Sequence, residues 1–223
     1  MVTMKKILIV LTNTEQIDKE NPTGLWLSEF AEPYVEFTNR NYSVSVASIK
    51  GGRVPVDPRS TTEGEMPPDE WEGAIRELES TLVLSQVNVN DYNAIFLPGG
   101  HGTMFDLPGN PALQKALAHF GENNKLIGAV CHGPAGFVDV KLSSGKYLVE
   151  GKRITGYTNE EEQQSEMDSL VPFLLESKLR ENGADFQKGN PFSNYVVTDT
   201  GFVTGQNPQS GLSTAKAFVE QLQ

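Results

Sequence analysis

Apolar and polar positions along this 223-residue chain fall into two alternating patterns. Short, nearly uninterrupted apolar runs at 5–12 (KKILIVLT), 44–49 (VSVASI), 94–99 (AIFLPG), 126–131 (LIGAVC) and 153–158 (RITGYT) predict strands buried on both faces. Between them, helical spacing of apolar residues predicts amphipathic helices over Leu25–Arg40, Asp69–Ser85, Pro111–Glu122 and Leu170–Asn182. The last of these meets Gly183, a suitable C-terminal cap. The segment 195–205 (YVVTDTGFVTG) predicts a hairpin turning at Asp199-Thr200-Gly201, and Ser210–Gln223 a final helix. Strands alternating with helices imply an α/β fold: a mostly parallel sheet, helices on both faces, and a C-terminal β-hairpin. No repeat or linker interrupts the pattern, so residues 1–223 are expected to form one domain. Residues 51–69, rich in Pro, Gly and charge, are expected to form a surface loop over one end of the sheet.

Charge narrows the partners. Lys+Arg 18 against Asp+Glu 29 gives 18 − 29 = −11, and no basic block stands out. Nucleic acid and anionic membranes are therefore not expected as partners. The N-terminal apolar run Ile7–Leu11 is shorter than the roughly 7–15 residues of an export signal. No run approaches the ~20 apolar residues that span a bilayer. A single cysteine, Cys131, allows no internal disulfide, and a reducing, cytoplasmic setting is the expectation.

Ligands of parallel α/β sheets bind at the carboxyl ends of strands. Three chemistry-bearing stretches fall there: PGGHG (98–102), CHGPAG (131–136) and TNEEEQ (158–163). Cys131 sits in A-x-C-x-G, close to the small-residue pattern of a nucleophile elbow. If a helix over 133–140 starts there, its dipole would lower the thiol pKa. The rival reading is a small buried core residue; the adjoining His132 and flanking glycines favour the nucleophile. Gly99 and Gly100 have no phosphate-loop spacing and read as oxyanion-hole backbone, or as a plain tight turn; His101 joins them on the substrate side. Glu29 lies on an apolar helix face, where a carboxylate is either functional with a raised pKa or paired at the surface. Of Glu160, Glu161 and Glu162, at most one is expected to reach the site. Lacking paired His or Cys spacings, the chain is expected to hold no metal, and no cofactor motif is present.

Taken together, GLWLSEFAEPY (24–34), VASIKGGRVPVDPRS (46–60), PGGHGTMFDLP (98–108), AVCHGPAG (129–136), GKRITGYTNEEE (151–162) and VVTDTGFVTGQNP (196–208) resemble the ThiJ/PfpI superfamily. The likeness is closer to its heat-shock chaperone and glyoxalase III-like branch, on a class I glutamine amidotransferase-like fold. The resemblance implies a flavodoxin-like three-layer sandwich, often dimeric, so a homodimer is expected. It implies Cys131 as nucleophile, His132 as base, Glu162 as the carboxylate orienting it, with Glu160 and Glu161 competing, and Glu29 as a protonated acid beside the sulfur. Gly100 and the His132 backbone match the oxyanion hole. The implied activity is cofactor-free conversion of methylglyoxal-like 2-oxoaldehydes to hydroxy acids, of D-lactate dehydratase type, with glycated or unfolded proteins as further partners. Two other classes stay open: a cysteine peptidase or amidase needing the full Cys–His–carboxylate triad, and a holdase or oxidative-stress sensor.

Overall fold

A computed structural model describes residues 4–222. In chain order the main elements are β1 (Lys6–Leu11), α1 (Leu27–Asn39), β2 (Ser43–Ser48), α2 (Glu72–Glu77) and β3 (Leu82–Val83). There follow β4 (Ala94–Leu97), α3 (Thr103–Asp106), α4 (Pro111–Glu122), β5 (Leu126–Val130), β6 (Arg153–Ile154) and α5 (Asn159–Gln164). The chain continues through α6 (Leu175–Glu181), β7 (Asp185–Phe186), β8 (Val196–Asp199), β9 (Phe202–Gly205) and α7 (Gly211–Leu222). Gln223, counted in the expected final helix, and residues 1–3 of the expected N-terminal stretch lie outside the described residues.

Seven strands form one sheet in the order β3-β2-β1-β4-β5-β9-β8. Every pairing is parallel except β8 with β9, the expected hairpin, whose turn carries Gly201 at φ 81°. Side-chain alternation along β4 sends successive residues to opposite faces. Phe96 packs with Phe37 of α1 and Phe218 of α7, ring centroids 5.3–5.4 Å apart. Leu97 points the other way, toward Gly136, where Leu113 of α4 also packs. Helices thus cover both faces, giving a flavodoxin-like α/β sandwich. Each fully buried Phe contributes about 1.5–3 kcal/mol of hydrophobic stabilisation.

The strand order reverses between β1 and β4, so a crevice opens beyond their carboxyl ends. The PGGHG turn leaves β4 there, and Cys131 leaves the adjacent β5.

Four expected elements differ. The run 153–158 does not join the main sheet: the edge beyond β9 is taken by β8, and only Arg153–Ile154 pairs, with β7, in a separate two-stranded sheet. The expected helix over Asp69–Ser85 is broken: a 3₁₀ turn at Asp69–Trp71 leads into α2, Val83 then pairs with Ser48 as an edge strand, and a second 3₁₀ turn begins at Leu84. Its β-branched Thr81 and Val83 suit that edge better than a helix. Pro172 delays α6, expected from Leu170, to Leu175, because the residue before a proline disfavours the α region. Past Cys131 there is no helix over 133–140, only a five-residue 3₁₀ turn, Gly133–Phe137, ended by Val138 and by Asp139 at φ 57°.

Candidate active site

Cys131 sits at φ 59°, a left-handed conformation costly for any side chain but glycine, at the point where β5 ends. Its N–H is held by Gly205 O and its carbonyl by the Tyr157 N–H, at 3.0 and 2.8 Å. The next turn tucks under β4: a Cβ on Gly133 would stand 2.0 Å from Leu97 O. Only glycine fits there, and the strained cysteine is thereby held above the sheet.

On one side of the sulfur lies His132, whose Nδ1 is 3.2 Å from Sγ. Its Nε2–H donates to Glu162 Oε2 at 2.7 Å. Cys131, His132 and Glu162 therefore form a continuous chain of contacts, and all three are buried. Adjacent residues in a turn need not face each other; here the left-handed backbone at Cys131 turns sulfur and ring together.

The acidic trio separates cleanly. Glu160 is exposed. Glu161 closes a capping box with Thr158 and accepts from Phe192 N–H, Gln206 and Asn207, so its oxygens are spent on structure. Glu162 alone reaches the histidine. Burial alone would push its carboxyl up, but the electrostatic pull of His132 and hydrogen bonds from both neighbouring rings outweigh this and hold it well below the usual carboxylate range.

Glu29 approaches the sulfur from the other side, wholly buried on α1. Oε2 accepts the Gly99 N–H at 2.7 Å, while Oε1 has no well-aligned hydrogen-bond partner. Burial raises its pKa from 4.5 to about 8, against the opposing pull of the Cys131 thiol and the Gly99 N–H. It is an acid with a proton to give near neutrality. Burial, then the electrostatic effect of the neighbouring Glu29 carboxyl, which would share any negative charge, likewise push the Cys131 thiol above its usual range. That corrects the expected dipole-lowered thiol pKa: the five-residue 3₁₀ turn is too short to supply a helix field, and the shift runs upward.

The two glycines divide. Gly99 N–H is occupied by Glu29, so it is not available as an oxyanion donor. Gly100, at φ 99° and so placed that a Cβ would stand 2.2 Å from Gly24 O, has an N–H with no acceptor among the described residues, as does His132. The His101 ring is buried and its nitrogens are both engaged: Nε2 lies 2.5 Å from Glu162 Oε1 and Nδ1 lies 3.2 Å from an Arg59 nitrogen. It does not face the substrate side with a free nitrogen.

Sequence reasoning missed Asp57, Arg59 and Tyr157. The Asp57 side chain is fully buried and takes a bidentate pair from Arg59, so loop 51–69 is not wholly at the surface. Tyr157 stacks on His132 with centroids 4.3 Å apart. The signal for the first was Asp-Pro-Arg, in which Asp57 caps a 3₁₀ turn. The Thr158-x-x-Glu161 capping pattern could have set Glu161 apart from Glu162.

His101, His132 and Glu162 offer ligand atoms within 4.8 Å of one another. Both ring nitrogens lie 2.5–2.7 Å from carboxylate oxygens, nearer than the roughly 3.3 Å between ligands on a tetrahedral zinc. The cluster is built as a proton network.

Fold and site together define a flavodoxin-like α/β protein that presents a cysteine on a strained elbow, between a histidine and a buried acid. The chain belongs to the DJ-1/PfpI family, whose family model matches residues 22–221. It is 30% identical over 236 residues to a Candida albicans protein named glyoxalase 3, covering 97% of this chain and 98% of that one. The crystal structure of glyoxalase III from the same organism superposes with a TM-score of 0.86 at 28% identity, covering 97% of each chain. A Saccharomyces cerevisiae protein named a glutathione-independent glyoxalase is 31% identical over 98% of both chains. A Francisella tularensis protein named rapid encystment protein matches in structure with a TM-score of 0.91 at 34% identity, over 99% of this chain and 100% of that one.

Proposed function

We propose that this protein is a glutathione-independent glyoxalase that converts methylglyoxal-like 2-oxoaldehydes to 2-hydroxy acids through Cys131. The observation that carries the reading is Glu29: a buried acid, pKa about 8, with one oxygen unspent beside the only thiol. A hydrolase triad alone has no use for such a group; an internal proton transfer does. The names of relatives covering nearly the whole chain support the same chemistry.

As Sγ bonds to the aldehyde carbon, its proton passes to His132 Nδ1, with Glu162 bracing the opposite side of the ring. The oxygen of the resulting hemithioacetal is met by the free Gly100 and His132 N–H groups. The C1 proton then leaves to a base, and C2 is protonated from Glu29 or His132, through an enediolate. C1 is thereby oxidised to a thioester and C2 reduced to a carbinol, with no external electron carrier. Water cleaves the thioester, returning the thiol and releasing the hydroxy acid.

The test is methylglyoxal loss and hydroxy-acid formation without added glutathione. Cys131→Ala is expected to abolish turnover, and Glu29→Gln, which keeps the shape and the Gly99 contact, to lower kcat by about 10²–10⁴-fold. Equal slow rates for wild type and Cys131→Ala would end this reading. The complete Cys131–His132–Glu162 chain favours a second reading, a cysteine amidase or peptidase. Amide release that survives Glu29→Gln but not Glu162→Gln would select it.

A further inference from the structure

We propose that Arg59 and His101 are positioning residues that lock the Glu162 carboxylate, and through it His132, in register with Cys131. The inference rests on the glyoxalase reading for its kinetic test but not for its structural one. Glu162 has two oxygens, and His132 uses only Oε2. A carboxylate held at one oxygen turns readily, because its last torsion is broad and soft. His101 Nε2 at Oε1 fixes the second oxygen and hence the plane of the group.

His101 can do this only in one tautomer. If its proton sat on Nδ1, the Nε2 lone pair would face an ionised carboxylate. Arg59 decides the matter: a guanidinium only donates, so its contact with Nδ1 at 3.2 Å makes Nδ1 the acceptor and Nε2 the N–H. Arg59 is itself fixed by the two-pronged contact with Asp57, at 2.9 and 2.6 Å, and Asp57 is held in turn by the Thr23 hydroxyl at 3.0 Å. The relay runs Asp57, Arg59, His101, Glu162, His132, Cys131. It ties loop 51–69 to the sulfur through five side-chain contacts. Burial first, then the neighbouring His132, lowers the His101 pKa to about 4, so the ring stays neutral and keeps the Nδ1 lone pair that accepts from Arg59.

The rival role for Arg59 is direct capture of substrate, since its side chain is 37% exposed. Kinetics separate the two. For positioning, Arg59→Met is expected to lower kcat by about 10–100-fold with KM within about twofold. His101→Gln, whose amide can still donate to Oε1, should retain about tenfold more activity than His101→Ala. In the His101→Gln background Arg59→Met should then cost less than about threefold, because no tautomer remains to be chosen. A raised KM with kcat intact, or an equal loss from Arg59→Met in both backgrounds, would overturn the proposal. Imidazole ¹⁵N spectra of the unliganded protein need no turnover: wild type should show His101 as the Nε2–H tautomer, and Arg59→Met should lose it. An Nδ1–H tautomer in wild type would equally defeat the proposal, even if the protein proves not to be a glyoxalase.

Discussion

At the scale of single residues, the site is a set of groups kept in states they would not choose in water. Cys131 is held at φ 59°, and the left-handed region costs a side chain of this kind about 1–2 kcal/mol. Ordinarily, replacing Ala by Gly in a strand or turn loses stability. Here Cys131→Gly is expected to unfold at a higher temperature than Cys131→Ala, by about 1 kcal/mol in thermal melts, although both lack the sulfur. The reverse order would mean that the elbow is unstrained. Glu29 is the second such group, uncharged because burial forbids the anion and because Gly99 offers only one N–H to its carboxyl.

At the scale of elements, close approach matters more than propensity. The β5 elbow can lie against the end of β4 only because position 133 has no side chain. Gly133→Ala is therefore expected to cost about 2–3 kcal/mol, a Tm loss of about 4–12 °C, and to disturb the Sγ–His132 contact together with the fold. A melt unchanged from wild type would show that the turn can move away. The second element-level device is α1, which carries Glu29 from a segment far from Cys131 in sequence to within reach of the thiol. Pro33 in the same helix has no N–H to give the Glu29 carbonyl, so the turn that presents the acid lacks one backbone bond.

At the scale of the whole molecule, burying these acids couples stability to pH. The Glu29 pKa rises from 4.5 to about 8 on folding. Its neutral form thus favours the fold fully below pH 4.5, and that contribution is lost as pH rises through 8. Glu162 has the opposite sign: its contribution is present above the ordinary carboxylate value and fades only in strong acid, as pH falls through its depressed folded value. Wild type should therefore be most stable near pH 5, and should lose stability by pH 8.5 relative to Glu29→Gln, by on the order of 4 kcal/mol. Chemical denaturation of both proteins across that range is the check; parallel curves would show that Glu29 is not a buried, shifted acid. Among the described residues no helix is long and apolar enough to cross a membrane.

The apolar runs and their helical intervals determined the α/β class, the parallel core strands, the hairpin and the place of Cys131 beyond a strand end, because burial on both faces of a sheet writes itself into local hydrophobicity. The run 153–158 looked the same locally, yet only competition with β8 for the sheet edge could exclude it. Resemblance pointed to Glu162 among three consecutive glutamates, but the tertiary structure brought it to His132, and it alone decided that Gly99 spends its N–H on Glu29 and that Arg59 reaches His101. Those contacts join residues 30 to 70 positions apart, and direction in space between such distant side chains leaves no periodic trace along the chain.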